Sequence, residues 1–106
     1  MNKKQRTYSW EPDSFQQNLI NARNRENKVI ALVVTCDNEF GTYFLIGFDW
    51  INIGEENSKK IKESFVEEQK ASDTELFLDF VDYKTGLEKT LKLVNEILQN
   101  VGFELE

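Results

Sequence analysis

The chain of 106 residues contains three extended runs in which apolar side chains dominate. Residues 28–36 (KVIALVVTC) are rich in β-branched side chains and predict a central strand that is covered on both faces. After a polar turn at residues 37–41, residues 42–50 (TYFLIGFDW) predict the second strand of a β-hairpin. Residues 74–83 (TELFLDFVDY) alternate apolar and polar positions, which predicts a third strand.

Three other segments carry apolar residues at helical spacing. Residues 13–25 have a narrow apolar stripe, which predicts a first helix. Residues 59–71 have only three apolar anchors, which predicts a second helix that lies on the surface. Residues 87–101 repeat apolar side chains at steps of four and three, and Thr85 and Glu88 have the spacing of a capping box. This last segment predicts the strongest helix of the chain.

The predicted elements follow the order α-β-β-α-β-α. This order predicts an α+β fold with about three mainly antiparallel strands and with helices packed on the sheet. Residues 1–12 are expected to form an irregular N-terminal arm, and residues 13–106 a single small domain. A chain of this length can bury about two-thirds of its unfolded surface, which is enough for one hydrophobic core.

The absence of histidine restricts the chemistry that is open to this protein. It excludes Ser–His–Asp and Cys–His catalysis, and a single cysteine leaves no set of ligands for the usual zinc sites. We therefore expect no cofactor and no metal. Cys36 is expected to be a small buried hydrophobe. The lone cysteine, the short apolar runs and an N-terminus unlike a signal peptide together predict a cytoplasmic protein.

The net charge of −6 is unevenly distributed along the chain. Residues 1–36 carry six basic and three acidic side chains (net +3), whereas residues 37–106 carry seven basic and sixteen acidic ones (net −9). Such an acidic surface repels nucleic-acid backbones and attracts basic proteins. We therefore expect a basic protein such as a toxin domain as the partner, and no direct binding to nucleic acid or to membranes.

Strand periodicity separates the side chains of the predicted strands onto two faces. The apolar set that is expected to face the core comprises Phe44, Ile46, Phe48 and Trp50 of the second strand and Leu76, Leu78 and Phe80 of the third. The opposite face mixes aromatic and acidic side chains, and the loop after Trp50 ends in two glutamates. Aromatic anchors beside carboxylates suit the capture of a basic protein. The predicted partner-binding residues are Tyr43, Asp49, Trp50, Glu55, Glu56, Phe77, Asp79 and Asp82.

Other roles are open for the same acidic residues. Asp49 and Asp79 also suit a solvated sheet face or the ends of strands. The carboxylates that could hold Mg²⁺ are Asp37, Glu39, Asp49, Asp79 and Asp82. Residues 82–84 (DYK) resemble the acid-x-Lys element of restriction-type nucleases. A helix is predicted between Asp49 and Asp82, however, and the acidic charge of the chain would repel a DNA substrate.

The combined profile predicts a non-enzymatic inhibitor. The expected type is an immunity or antitoxin protein that neutralises a basic toxin, for instance a nuclease, by occluding its active site with an acidic surface. We expect a monomer in a 1:1 complex, or a weak homodimer. Two alternatives remain, a regulatory or structural subunit of a larger assembly and an Mg²⁺-dependent carboxylate enzyme of nuclease type.

Overall fold

A seven-stranded mixed sheet forms the framework of the protein. The computed structural model describes residues 6–106. Its strands are β1 (Thr7–Pro12), β2 (Leu19–Asn24), β3 (Val29–Asn38), β4 (Gly41–Phe48), β5 (Lys70–Ser72), β6 (Glu75–Phe80) and β7 (Glu104–Leu105). They lie side by side in the order β5-β6-β4-β3-β2-β1-β7. Neighbouring strands are antiparallel except β1 and β7, which are parallel.

Three helices complete the fold in the described part of the chain. They are α1 (Trp50–Ile53), α2 (Glu55–Glu63) and α3 (Tyr83–Asn100), and a short 3-10 turn spans Glu67–Gln69. The predicted fold of about three strands in the order α-β-β-α-β-α is wrong, because the chain instead begins with four consecutive strands. The second predicted helix is shorter than expected, since α2 ends at Glu63 and the chain reaches β5 by Lys70.

The N-terminal part of the chain differs most from the prediction. Thr7–Pro12, expected to be irregular, is strand β1, while residues 1–5 of the predicted arm lie outside the described residues. In place of the predicted helix over residues 13–25 there is a turn followed by β2. Asp13 organises this turn, because its Oδ1 accepts hydrogen bonds from the amides of Phe15 (2.8 Å) and Gln16 (2.9 Å). These bonds hold the pKa of the Asp13 carboxyl below its usual range.

The predicted hairpin is confirmed by the pairing of β3 with β4. Their register runs antiparallel from Ala31 opposite Phe48 to Asn38 opposite Gly41. On the other side of β4, Phe44 lies opposite Leu78 and Ile46 opposite Leu76 of β6. Phe44, Ile46 and Leu76 are buried, so the expected apolar sets of these two strands do face the core. Trp50 also packs against the core, although it does so from α1, since β4 ends at Phe48.

The hydrophobic core lies between one face of the sheet and the three helices. Its helical members are Ile53 of α1, Ile61 of α2, and Val94, Ile97 and Leu98 of α3. The first turn of α3 approaches the sheet closely at Gly86, where an added Cβ would lie 2.8 Å from the Phe80 ring and nearer still to Phe44. Within residues 6–106, no helix has both the length and the apolar character needed to cross a membrane.

A buried polar contact joins β1 to the last helix. The Tyr8 hydroxyl and the Trp10 indole N–H both donate to Oδ1 of Asn95, at 2.7 and 2.9 Å. Burial raises the pKa of Tyr8 to about 12. Near the C-terminal end of α3, the Arg6 guanidinium donates to the carbonyl of Val101 and lies over the Phe103 ring. These contacts fix the β1 edge of the sheet to α3.

Candidate interaction surface

The second face of the sheet lies opposite the hydrophobic core, and we call it the open face. The side chains there alternate with those of the core, and none of them belongs to the core cluster. One row crosses four strands in register, from Phe77 through Leu45 and Val34 to Leu19. Antiparallel sheets that meet water on one face usually carry polar side chains there. This row is entirely apolar instead.

The open face is divided into an apolar half and a polar half. The apolar half, over β6, β4, β3 and the start of β2, comprises Leu19, Leu32, Val34, Tyr43, Leu45 and Phe77. The polar half, over β2 and β1, comprises Ser9, Glu11 and Arg23, together with Asn21, which is buried and donates to Oδ2 of Asp13. In the polar half Arg23 and Glu11 form an ion pair at 3.6 Å. The apolar half is therefore a distinct patch on one side of the sheet.

Three predicted site residues come together at the rim of the apolar half. Tyr43 lies directly opposite Asp79, and its ring stacks on Phe77 with centroids 5.4 Å apart. Phe77 remains 42% exposed. Among the residues that the structure describes, Asp79 forms no ion pair. The arrangement is an exposed aromatic pair beside a carboxylate without a counter-charge.

Asp49 does not belong to this face. It follows the end of β4 and is the N-cap of α1, where its Oδ1 accepts a hydrogen bond from the amide of Asn52 at 2.9 Å. Asp82 has the same function at α3, accepting from the amide of Thr85 at 2.9 Å. Asp82 is therefore the N-cap of α3, in place of the predicted Thr85. Both carboxylates have structural partners within the chain.

The other predicted residues lie around the junction of α1 and α2. A surface groove of about 630 Å³ is lined there by Trp50, Ile51, Glu55 and Lys59, among others. Trp50 stacks on Phe48, and Lys62 Nζ lies 4.9 Å from the centre of its indole ring. Glu56 pairs with Lys60 at 3.9 Å. The expected loop with a tryptophan beside two glutamates is instead the start of α2, and the groove there combines acidic and basic side chains.

The two groups of predicted residues lie far apart. Tyr43 stands near the start of β4 and Trp50 follows its end, so at a rise of about 3.3 Å per residue they are about 20 Å apart. Asp79 pairs with Tyr43 at the first end, while Glu55 and Glu56 begin α2 at the other. A single partner-binding site made of all eight predicted residues does not form.

The carboxylates named as Mg²⁺ ligands are also dispersed. Asp49 and Asp82 lie at opposite ends of the β4–β6 ladder, and both cap helices. Asp37 accepts a hydrogen bond from the Thr42 hydroxyl at 2.6 Å. In the stretch from Arg6 to Glu106, no three Asp, Glu or Cys side chains group closely enough to hold a metal ion. The resemblance of residues 82–84 to a nuclease element therefore has no matching acid beside it.

Four members of the apolar half are absent from the predicted partner-binding residues, namely Leu19, Leu32, Val34 and Leu45. A signal for two of them exists in β3, since its apolar residues continue on both faces and predict cover on both. The structure provides that cover on one face only. Cys36, expected to be buried, is exposed beside Tyr43 on the open face.

Comparison with models of known protein families finds no match, and no curated protein or solved structure matches the chain.

Proposed function

We propose that this protein is a non-enzymatic inhibitor that binds a basic protein through the apolar half of its open face. The observation that carries the proposal is the in-register row of Phe77, Leu45, Val34 and Leu19 on the open face, in which Phe77 is exposed and the other three are half-buried. Contiguous apolar patches on a protein surface mark sites of interaction, because water contact with them is unfavourable. Tyr43 and Phe77 are the aromatic anchors of such a site.

The chemistry of the partner is inferred from the charges beside the patch. The in-register charged neighbours of the apolar half on β6 are Asp79 and Glu75, and both are acidic. Within the described residues neither forms an ion pair, so each is available to a cation on a partner. Carboxylates at a rim chiefly accelerate encounter and fix orientation, while the apolar contacts hold the complex together.

This surface suits an immunity or antitoxin type of protein that acts in the cytoplasm on a basic toxin, such as a nuclease. The basic groove of a nuclease binds phosphates, and a surface carrying Asp79 and Glu75 would take their place. Inhibition would be steric, so it requires no catalytic residue in this chain. A regulatory or structural subunit would use the same patch, but would hold its partner permanently and block no active site.

The proposal is tested by affinity capture from the native host with paired variants. Phe77→Ser removes an aromatic side chain from the apolar half, and Phe15→Ser removes one from a turn outside it, where Phe15 is 93% exposed. We expect the wild type and Phe15→Ser to retain the same basic protein in a 1:1 complex, and Phe77→Ser to lose it. Equal retention by both variants would refute the proposed surface.

The purified complex then distinguishes an inhibitor from a subunit. An inhibitor abolishes the activity of its partner, and Asp79→Asn should slow association severalfold at low salt with little change in dissociation. The difference in association rate should shrink as salt screens the charges. A partner that stays fully active in the complex would argue for the subunit role.

A further inference from the structure

The outer edge of β6 lacks a strand along most of its length. The neighbouring strand β5 pairs with β6 only at Glu75 and Leu76. Residues 77–80 pair with β4 on their inner side and, within the described part of the chain, have no strand on their outer side. Alternate residues of an antiparallel strand direct their N–H and C=O groups to opposite sides. Half of these four residues therefore present backbone groups to an incoming strand.

The composition of this edge does not protect it against pairing. Exposed edges are usually blocked by lysine, proline, a bulge or a covering element. Residues 76–81 (LFLDFV) contain no lysine or proline and only one charged side chain, Asp79, and Val81, just after the end of β6, is 93% exposed. The opposite edge differs, because β1 ends in Pro12 and is partly covered by β7. The 3-10 turn Glu67–Gln69 contacts part of β6. The rest of this edge, which borders the apolar half of the open face, is therefore the less protected of the two.

We propose that the basic partner binds by adding an extended segment to β6, continuing the sheet beyond residues 77–80. This inference deepens the proposed function and rests on it. A strand added there would place side chains on the open face beside Phe77 and Asp79, and side chains on the helix side beside Leu78 and Phe80. The segment should carry a lysine or arginine beside Asp79 and apolar residues at the other positions.

Charge complementarity favours this occupant over a second copy of the chain. Each copy carries a net charge of −6, so two copies repel each other at long range. Asp79 is the charged residue of the free edge, and it has no cationic partner among residues 6–106. A basic segment neutralises it, whereas a second β6 strand would bring another carboxylate.

The test uses a short blocked peptide of alternating threonine and valine with one central lysine. Hydrogen exchange of the full chain is measured with this peptide, with its glutamate version, and with a version methylated on backbone nitrogens. We expect the lysine peptide to slow exchange of amides within residues 77–80. The glutamate version loses the attraction to Asp79, and the methylated version loses backbone hydrogen bonds to β6. Each should therefore bind about tenfold more weakly than the lysine peptide. Asp79→Lys should reverse the preference between lysine and glutamate.

Other outcomes would overturn strand addition. One is that the amides of residues 77–80 stay unprotected at every soluble concentration of the lysine peptide. Another is that these amides are protected without peptide and become more protected as the protein concentration rises, which indicates pairing of two copies. The proposed function is judged separately. Suppose that Phe77→Ser abolishes capture of the partner while the amides of residues 77–80 exchange freely in the wild-type complex. This result would support the proposed binding surface and refute strand addition. If the peptide protects these amides but Phe77→Ser captures the partner normally, the surface fails.

Discussion

Asp49 lies between two aromatic residues because it caps a helix. Its side chain accepts a hydrogen bond from the amide of Asn52, which would otherwise have no partner at the start of α1. The neighbouring side chains Phe48 and Trp50 stack on each other, with ring centroids 5.4 Å apart. The acid thus ends β4 and begins α1 at the point where the chain turns from the sheet into the helical layer.

Removal of this cap should cost stability but leave partner binding unchanged. We expect Asp49→Ala to lower the free energy of unfolding by about 1 kcal/mol, the usual cost of losing an N-cap. Asp49→Asn retains an oxygen acceptor and should lie within a few tenths of a kcal/mol of the wild type. Urea unfolding measures both. If Asp49→Asn is as stable as the wild type but binds the partner more weakly, Asp49 contacts the partner as the sequence predicted.

Asn95 satisfies two buried donors with one oxygen. In Asn95→Leu, the hydroxyl of Tyr8 and the indole N–H of Trp10 lose their acceptor. Each unsatisfied donor costs about 1–3 kcal/mol, so we expect a loss of about 2–6 kcal/mol in the free energy of unfolding. Gln99→Leu makes a similar change on the exposed side of α3 and should stay within about 0.5 kcal/mol. Similar effects of the two substitutions would contradict the importance of this contact.

The raised pKa of Tyr8 predicts a loss of stability in alkaline solution. Its pKa is about 12 in the folded protein against 10.0 for the free side chain, so the unfolded chain releases this proton first as the pH rises. The contribution of Tyr8 is therefore complete below pH 10 and is lost between pH 10 and about pH 12. Tyr8→Phe should unfold with a shallower pH dependence over this window. Equal slopes for the two proteins would show that Tyr8 does not titrate with unfolding.

At the scale of elements, the first turn of α3 has little space above the sheet. An added methyl at Gly86 would overlap the rings of Phe44 and Phe80, and overpacking of this kind costs about 1–3 kcal/mol. The better helix propensity of alanine offsets up to about 1 kcal/mol of this cost. We therefore expect Gly86→Ala to destabilise the protein in thermal unfolding.

The same substitution at Gly47 is the matched control. A methyl group there would meet the Leu32 side chain at 3.6 Å, an ordinary contact. Glycine within a strand weakens it, so Gly47→Ala should be neutral or slightly stabilising. A lower melting temperature for Gly47→Ala than for Gly86→Ala would refute the assignment of close packing to α3.

The elements that could be predicted from the sequence are those with local signals. The β3–β4 hairpin joins two long apolar strands by a short turn, and the apolar residues of α3 follow at regular steps of four and three from residue 87 onward. Strands β1 and β2 have six residues each, and the apolar residues of the region around β2 also fit a helical stripe. These segments are strands because β1 pairs with β2 and β2 pairs with β3. Such pairing depends on several segments together, so it cannot be read from either segment alone.

The candidate site could be predicted only in part for the same reason. Alternation placed Tyr43, Phe77 and Asp79 on one face, and the register of β4 and β6 brings them together. The contribution of Leu19 depends on β2 lying beside β3, which the sequence did not indicate. Asp49 was misplaced because β4 ends at Phe48, two residues before the predicted end of the strand.

At the scale of the molecule, the structure has two layers, and the sheet is covered on one side only. An accessible apolar half should bind a hydrophobic dye in the native protein. Val34→Thr has nearly the same shape and should reduce dye fluorescence. Val66→Thr, at a position 51% exposed and outside the open face, is the control and should not. Unchanged dye binding in Val34→Thr would mean that the dye binds elsewhere.

The parallel pairing of β7 with β1 has a consequence for the order of folding. Thr7 lies opposite Glu104 and Tyr8 opposite Leu105, so this ladder joins residues separated by nearly the whole chain. Bringing such distant segments together is slow, whereas the β3–β4 hairpin closes within a few residues. During synthesis on the ribosome, β7 leaves the exit tunnel after the other six strands. The β1 edge therefore stays uncovered until Glu104 and Leu105 have emerged.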